Sequence, residues 1–191
     1  MSEFEDCIAG HPTVRFGDGD QRLVIIPGLS DALQGDETSR FTRVLLERYY
    51  MRAFADDYDV SIVGRPRDLP DEVTTRELAE GYASVLEEIG PAHVLGMSMG
   101  GLIAQYIGSD HPEHVQKLVV SLAGPHLSES GITHVTAWLD SAREGRWSEV
   151  YLGSVEATYS SAGARAAYGS LLRLPGIVKE PPYPTDFTAS A

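Results

Sequence analysis

Four short apolar runs constrain this chain more than any other feature: Leu23–Ile26, Asp59–Val63, His93–Leu95 and Leu118–Val120. Leu23-Val24-Ile25-Ile26 has no polar alternation, the pattern of a strand buried on both faces. Helical patterns lie between the runs. From Ser39 to Phe54, the residues Phe41, Val44, Leu45 and Tyr49 recur at helical spacing. Thr74 and Thr75 open a second helix, with Glu77 near its start and Leu78, Tyr82, Val85, Leu86 and Ile89 as its apolar stripe; Gly90-Pro91 ends it. Ser98 to Ile107 forms a third, rich in small and apolar residues. Strands alternating with helices through short connections predict an α/β fold, a parallel sheet with helices on both faces. Thr13–Phe16 adds a further short strand.

The strand pattern ceases beyond Pro125. Thr133–Arg146, Glu149–Tyr159 and Ala164–Leu172 read as helices. The tail from Pro175 contains Pro181, Pro182 and Pro184 and reads as extended or loose. Two regions are therefore expected, a core over residues 1–125 and a helical segment with a Pro-rich tail over residues 126–191.

Chemistry is concentrated in Val94-Leu95-Gly96-Met97-Ser98-Met99-Gly100-Gly101. This is a strand, then Gly-x-Ser-x-Gly, then a helix. So sharp a turn forces the central serine into a strained backbone conformation. It also requires glycines two residues to either side, where side chains would strike the neighbouring strand and helix. The serine oxygen is thereby lifted to the carboxyl end of the sheet, beside a helix N-terminus that favours negative charge. The loop Pro27-Gly28-Leu29-Ser30 follows the earlier buried strand. It can offer the Leu29 N–H, which with the N–H of Met99 makes two donors for the oxyanion of a tetrahedral intermediate. Ser98 is thus the candidate nucleophile, and Leu29 and Met99 form the candidate oxyanion hole. The competing reading is a structural serine in a tight turn.

In this order of elements the chain resembles the α/β-hydrolase superfamily, from about Val14 to Ala123. Leu23–Ser30 resembles the strand and oxyanion loop, and Ile62–Arg67 the next strand with its Gly-Arg turn. Thr75–Gly90 resembles the helix before the nucleophile, and Gly96–Gly101 matches the elbow. Gln105, His111-Pro112-Glu113 and Leu118–Val120 follow in register. Pro27-Gly28 stands where many members carry His-Gly; the backbone still donates. The resemblance is to single-domain members with a helical cap, of the esterase, haloperoxidase-like and C–C hydrolase kind. It implies attack on an ester, thioester or related acyl bond of a small apolar substrate. Acyltransferases and cofactor-free peroxidases share this elbow. A catalytically silent, hydrolase-like binding domain is the alternative from a different class.

The resemblance also implies an acid and a histidine on strands beyond the cap. No strand-loop-Asp or strand-loop-His pattern follows Tyr183, so the chain is expected to be truncated after the cap. His126, just past Leu118–Val120 at the same carboxyl edge as Ser98, is the substitute base by position. Leu118, Val119 and Val120 would then form an apolar sheet edge, and self-association through it is expected.

Composition narrows the partners. The chain of 191 residues has 28 acidic and 15 basic residues, a net charge of −13. That balance disfavours nucleic acid and anionic membranes. Lys117 and Lys179 are the two lysines, and the remaining bases are arginines. An acid-rich, lysine-poor surface points to a halophile, because salt screens its self-repulsion. Cys7 alone excludes an internal disulfide. No basic leader or long apolar run occurs, so a cytoplasmic location is expected. No metal-ligand spacing, phosphate loop or dinucleotide fingerprint is present, so neither metal nor cofactor is expected.

Overall fold

The computed structural model describes residues 6–33, 54, 56–174 and 176–190. Its strands are β1 (Asp6–Ile8), β2 (His11–Phe16), β3 (Gln21–Ile26), β4 (Tyr58–Val63), β5 (Ala92–Met97) and β6 (Val115–Ser121). They form a 6-stranded sheet of order β1-β2-β4-β3-β5-β6. The pairs β3–β4, β3–β5 and β5–β6 are parallel, as expected for strands separated by helices. β1 and β2 are antiparallel additions at one side, so the sheet is mixed rather than wholly parallel. The expected helix at residues 39–54 lies outside the described residues, Phe54 excepted.

Burial on both faces follows the period of two along β3. Val24 and Ile26 enter one core with Val94, Ile103, Leu78 and Leu86. Leu23 and Ile25 enter another with Phe16 and Val60, against which Phe54 packs. Helix α1 (Thr75–Ile89) buries the expected stripe through Leu78, Tyr82, Val85 and Leu86. Its start is fixed by a reciprocal cap. The Glu77 N–H donates to the Thr74 hydroxyl, and the Thr74 N–H donates to the Glu77 carboxylate.

Register places the loops that matter at one edge. Ile26 pairs with Gly96, Gly96 with Val120, Met97 with Ser121, and Ile25 with Ile62. The chain therefore leaves β3, β4, β5 and β6 at the same carboxyl edge. Helix α2 (Met99–Asp110) follows β5 with only Ser98 between them. The glycines flanking that turn have no room for a side chain. A Cβ on Gly96 would lie 2.4 Å from the Gly100 carbonyl oxygen, and one on Gly100 would lie 2.2 Å from that of Ile26.

Beyond β6 come α3 (Glu129–Arg143), α4 (Trp147–Thr158), α5 (Ala162–Leu172) and α6 (Pro184–Ser190). The tail is thus not extended throughout. Its last turns are helical, and Asp186, Phe187 and Ser190 are buried. Pro184 opens this helix where the missing N–H costs nothing, which is why a Pro-rich composition misleads here. Phe187 packs edge-on to Trp147 with ring centroids 5.8 Å apart. Ala142 and Val150 complete that cluster, and Leu29 of the loop after β3 packs against it. At the opposite side of the sheet, β6 pairs with β5 alone among the described residues, and Leu118, Val119 and Val120 are exposed.

Candidate active site

Ser98 joins β5 to α2 with φ 53° and ψ −120°. A non-glycine residue at positive φ stores strain, and such residues gather at functional sites. Its backbone is held firmly. The Ser98 N–H donates to the Ser121 carbonyl at 2.8 Å, and the Ser98 carbonyl accepts the Gly101 N–H at 2.8 Å. The N–H groups of Met99 and Gly100 fall in the first turn of α2, where a helix supplies no carbonyl partner.

The loop after β3 abuts this turn. A Cβ on Gly28 would lie 3.1 Å from Ser98 Cβ and 3.6 Å from Ser98 Oγ. Leu29 starts a 3₁₀ turn, Leu29–Leu33, whose shape is set by the Asp31 N–H donating to the Gly28 carbonyl at 3.1 Å. Ser98, Leu29 and Met99 all line one cavity of about 660 Å³. Its walls come from Val73, Leu102, Leu127, Val135 and Trp138. No Asp, Glu, Lys or Arg lines it among the described residues. Leu122, just past β6, also lines it, at φ 57° and 84% exposed.

Of the histidines, His126 lines the cavity with Ser98. His134 stacks on Trp138 at 6.4 Å between ring centroids. The others are engaged elsewhere. His93 bonds Gln21 at 2.9 Å, and His111 bonds Glu80 at 3.1 Å. His11 is buried, with Nδ1 on the Gly64 carbonyl at 2.8 Å; burial pushes its pKa below the ordinary 6.5. Among the described residues, no group of three or more His, Cys, Asp or Glu is placed to hold a metal ion. No helix there is long and apolar enough to cross a membrane.

Two residues escape a reading by sequence. Arg65, in the Gly-Arg turn after β4, is 1% exposed and lies directly behind the Gly28–Asp31 loop. Burial lowers its pKa, but an arginine keeps its charge. Asp186, in the tail, is also 1% exposed and accepts the Leu69 N–H at 3.0 Å. Only an acid in the first turn after Pro184 hinted at a helix there.

The sequence model of the alpha/beta hydrolase fold family matches residues 36–152. The chain belongs to the alpha/beta hydrolase fold family. Within this family it is similar to the homoserine O-acetyltransferase of Thermus thermophilus, 46% identical over 66 residues. That match covers 32% of this chain and 17% of the acetyltransferase, so the chain spans a minor part of that relative's length. A hydrolase from Pseudomonas aeruginosa PA01 superposes with a TM-score of 0.63 at 15% identity, over 100% of this chain and 73% of that one. A thermophilic esterase from Thermogutta terrifontis superposes with a TM-score of 0.61 at 15% identity, over 98% of this chain and 70% of the esterase. Identities this low establish the shared alpha/beta hydrolase fold and no more.

Proposed function

We propose that this alpha/beta hydrolase acts on the ester or thioester bond of a small, uncharged, apolar acyl group, with Ser98 as nucleophile. The observation that carries the reading is the position of Ser98. It lies at positive φ, beside the first turn of α2 and against Gly28, and it lines a cavity to which no Asp, Glu, Lys or Arg among the described residues contributes. In a chain with 28 acidic and 15 basic residues, a wall whose described residues include no Asp, Glu, Lys or Arg favours a neutral substrate.

In the proposed reaction Ser98 Oγ adds to the carbonyl carbon and the π pair moves to oxygen. The N–H groups of Leu29 and Met99 donate to that oxyanion. Collapse, with the general base returning the serine proton to the leaving oxygen or sulfur, expels the alcohol or thiol and leaves an acyl-serine. Water, giving its proton to the same base, then cleaves this to the free acid, and the proton returns to Ser98 Oγ. The hydroxyl proton passes to a general base; His126, the imidazole among the described residues that lines this cavity, is proposed for it. A hydroxyl acceptor in place of water would turn hydrolysis into acyl transfer, the variant that the likeness to the homoserine O-acetyltransferase supports. The division into a core, residues 1–125, and a cap with its tail, residues 126–191, belongs to the same proposal, the cap supplying Val135 and Trp138 to the cavity wall.

A fluorophosphonate probe tests the nucleophile, because its phosphorus takes Ser98 Oγ and releases fluoride. One label per chain is expected on Ser98, and none on Ser98→Ala. Equal labelling of both proteins rejects the reading. Among p-nitrophenyl esters, acetate and butyrate should be turned over in preference to a charged succinyl ester.

A further inference from the structure

We propose that Arg65 is a positioning residue for the oxyanion hole, one guanidinium that ties the Gly28–Leu29 loop to Met99 and so fixes both donors relative to Ser98. The proposal rests on the reading of Ser98 as nucleophile and adds a residue that touches no substrate.

The geometry is specific. Arg65 Nη2 donates to the Leu29 carbonyl at 2.9 Å and to the Gly28 carbonyl at 3.3 Å. Its Nη1 donates to Met99 Sδ at 2.9 Å. The Arg65 backbone N–H donates to Asp31 Oδ2 at 2.9 Å, and Nη2 lies 3.9 Å from the same oxygen. A closed circuit results. Asp31 closes the 3₁₀ turn onto Gly28, holds the start of the Arg65 residue, and partly neutralises its charge. The guanidinium then returns to the two carbonyls of that turn.

The peptide plane explains why this controls the donor. In a trans peptide the carbonyl and the N–H point in opposite directions. Anchoring the Gly28 carbonyl to Arg65 therefore aims the Leu29 N–H away from Arg65. Donation to that carbonyl also polarises the peptide, which strengthens the N–H on its far side. The bond to Met99 Sδ sets the distance between the loop and the first turn of α2, where the second donor sits. A buried charge is costly, and Arg65 Nε has no hydrogen-bond partner among the described residues. A long apolar side chain would fill the same space without that cost but would anchor neither carbonyl.

The test separates aim from binding, using saturation kinetics of a fluorophosphonate on the 191-residue chain. Arg65→Met should lower the maximal rate of Ser98 labelling about 10- to 100-fold, less than the roughly 100- to 1,000-fold seen when one oxyanion donor is removed outright, because the donors are misaimed and not lost. The half-saturating probe concentration should stay within about twofold, because Arg65 itself does not line the cavity. Arg65→Lys, which reaches one carbonyl at a time, should recover part of the rate. A folded Arg65→Met or Arg65→Lys that labels at the wild-type maximal rate overturns the proposal. So does a loss confined to the half-saturating concentration. Where Arg65→Met does not fold, Arg65→Lys decides by the same two parameters. Where neither folds, Asp31→Asn at the partly exposed end of the circuit decides: a several-fold fall in maximal rate supports the clamp and an unchanged rate overturns it. A wild-type chain with no label on Ser98 rejects the nucleophile reading itself, and the clamp with it. A labelled wild type with undiminished variants rejects the clamp alone.

Discussion

Asp186 Oδ1 accepts the Leu69 backbone N–H at 3.0 Å, across 117 residues of chain. This bond docks α6 onto the segment that follows β4. Phe187, the next residue, packs on Trp147, and Ser190 lines the cavity that holds Ser98. The C-terminal helix is therefore part of the cavity wall.

Removing that anchor should loosen the wall. Asp186→Ala leaves the part-buried Leu69 N–H without its acceptor, a loss at the lower end of the about 1–3 kcal/mol that a fully buried group would cost. Asp186→Asn keeps an acceptor oxygen and should lose less. Urea denaturation followed by circular dichroism reads both. Equal midpoints for wild type and Asp186→Ala would show that the bond contributes nothing.

Gly100 tolerates no side chain in this fold. The added methyl of Gly100→Ala would meet the Ile26 carbonyl at 2.2 Å, a backbone atom that cannot rotate away. A cost of about 1–3 kcal/mol or more is expected for such overpacking, together with loss of Ser98 labelling as the elbow shifts. A wild-type thermal midpoint in Gly100→Ala would contradict the geometry.

His11 gives the folded chain a pH dependence of defined sign. Burial, the largest cause, holds its folded pKa below the unfolded value near 6.5, against smaller opposing effects of the Gly64 carbonyl and Asp31. Below pH 6.5 the unfolded chain takes up the proton first, so stability decreases as the pH is lowered, until the folded pKa is passed. Above 6.5 both states are neutral and the contribution is constant. His11→Gln should flatten the stability curve just below pH 6.5, where ordinary carboxylates do not titrate. Parallel curves for wild type and His11→Gln over that window would exclude His11 as the source.

The exposed edge of β6 should mediate self-association. Val119 is 54% exposed on a strand whose described partner lies on one side only, and such an edge pairs readily with another chain. The net charge of −13 opposes this at low salt, and a Debye length of about 3 Å at 1 M salt removes the opposition. Light scattering at micromolar concentration should show association that grows with KCl and is suppressed in Val119→Lys. The thermal midpoint should rise with KCl as well. A monomer at every salt concentration would reject the edge, and a flat midpoint would reject the halophile reading.

Sequence alone determined the features whose causes are local. The unbroken run Leu23–Ile26 made a doubly buried strand, Thr74 with Glu77 made a cap, and Gly96, Ser98 and Gly100 made a turn that only those residue types allow. Each depends on neighbours within a few positions, so the pattern is visible in the letters. The antiparallel additions β1 and β2 depended on pairing partners, and the helix at Pro184–Ser190 on a surface to bury Phe187. Arg65 read as one residue of the Gly-Arg turn after a strand until the register of β4 against β3 carried it behind Leu29. Asp186 had no meaning until α6 brought it to Leu69. Such contacts lie 34 to 117 residues apart along the chain. Their formation is decided by packing, which residue patterns do not encode over that range, so the elbow was written in the sequence and the scaffold that aims it was decided only by the tertiary fold.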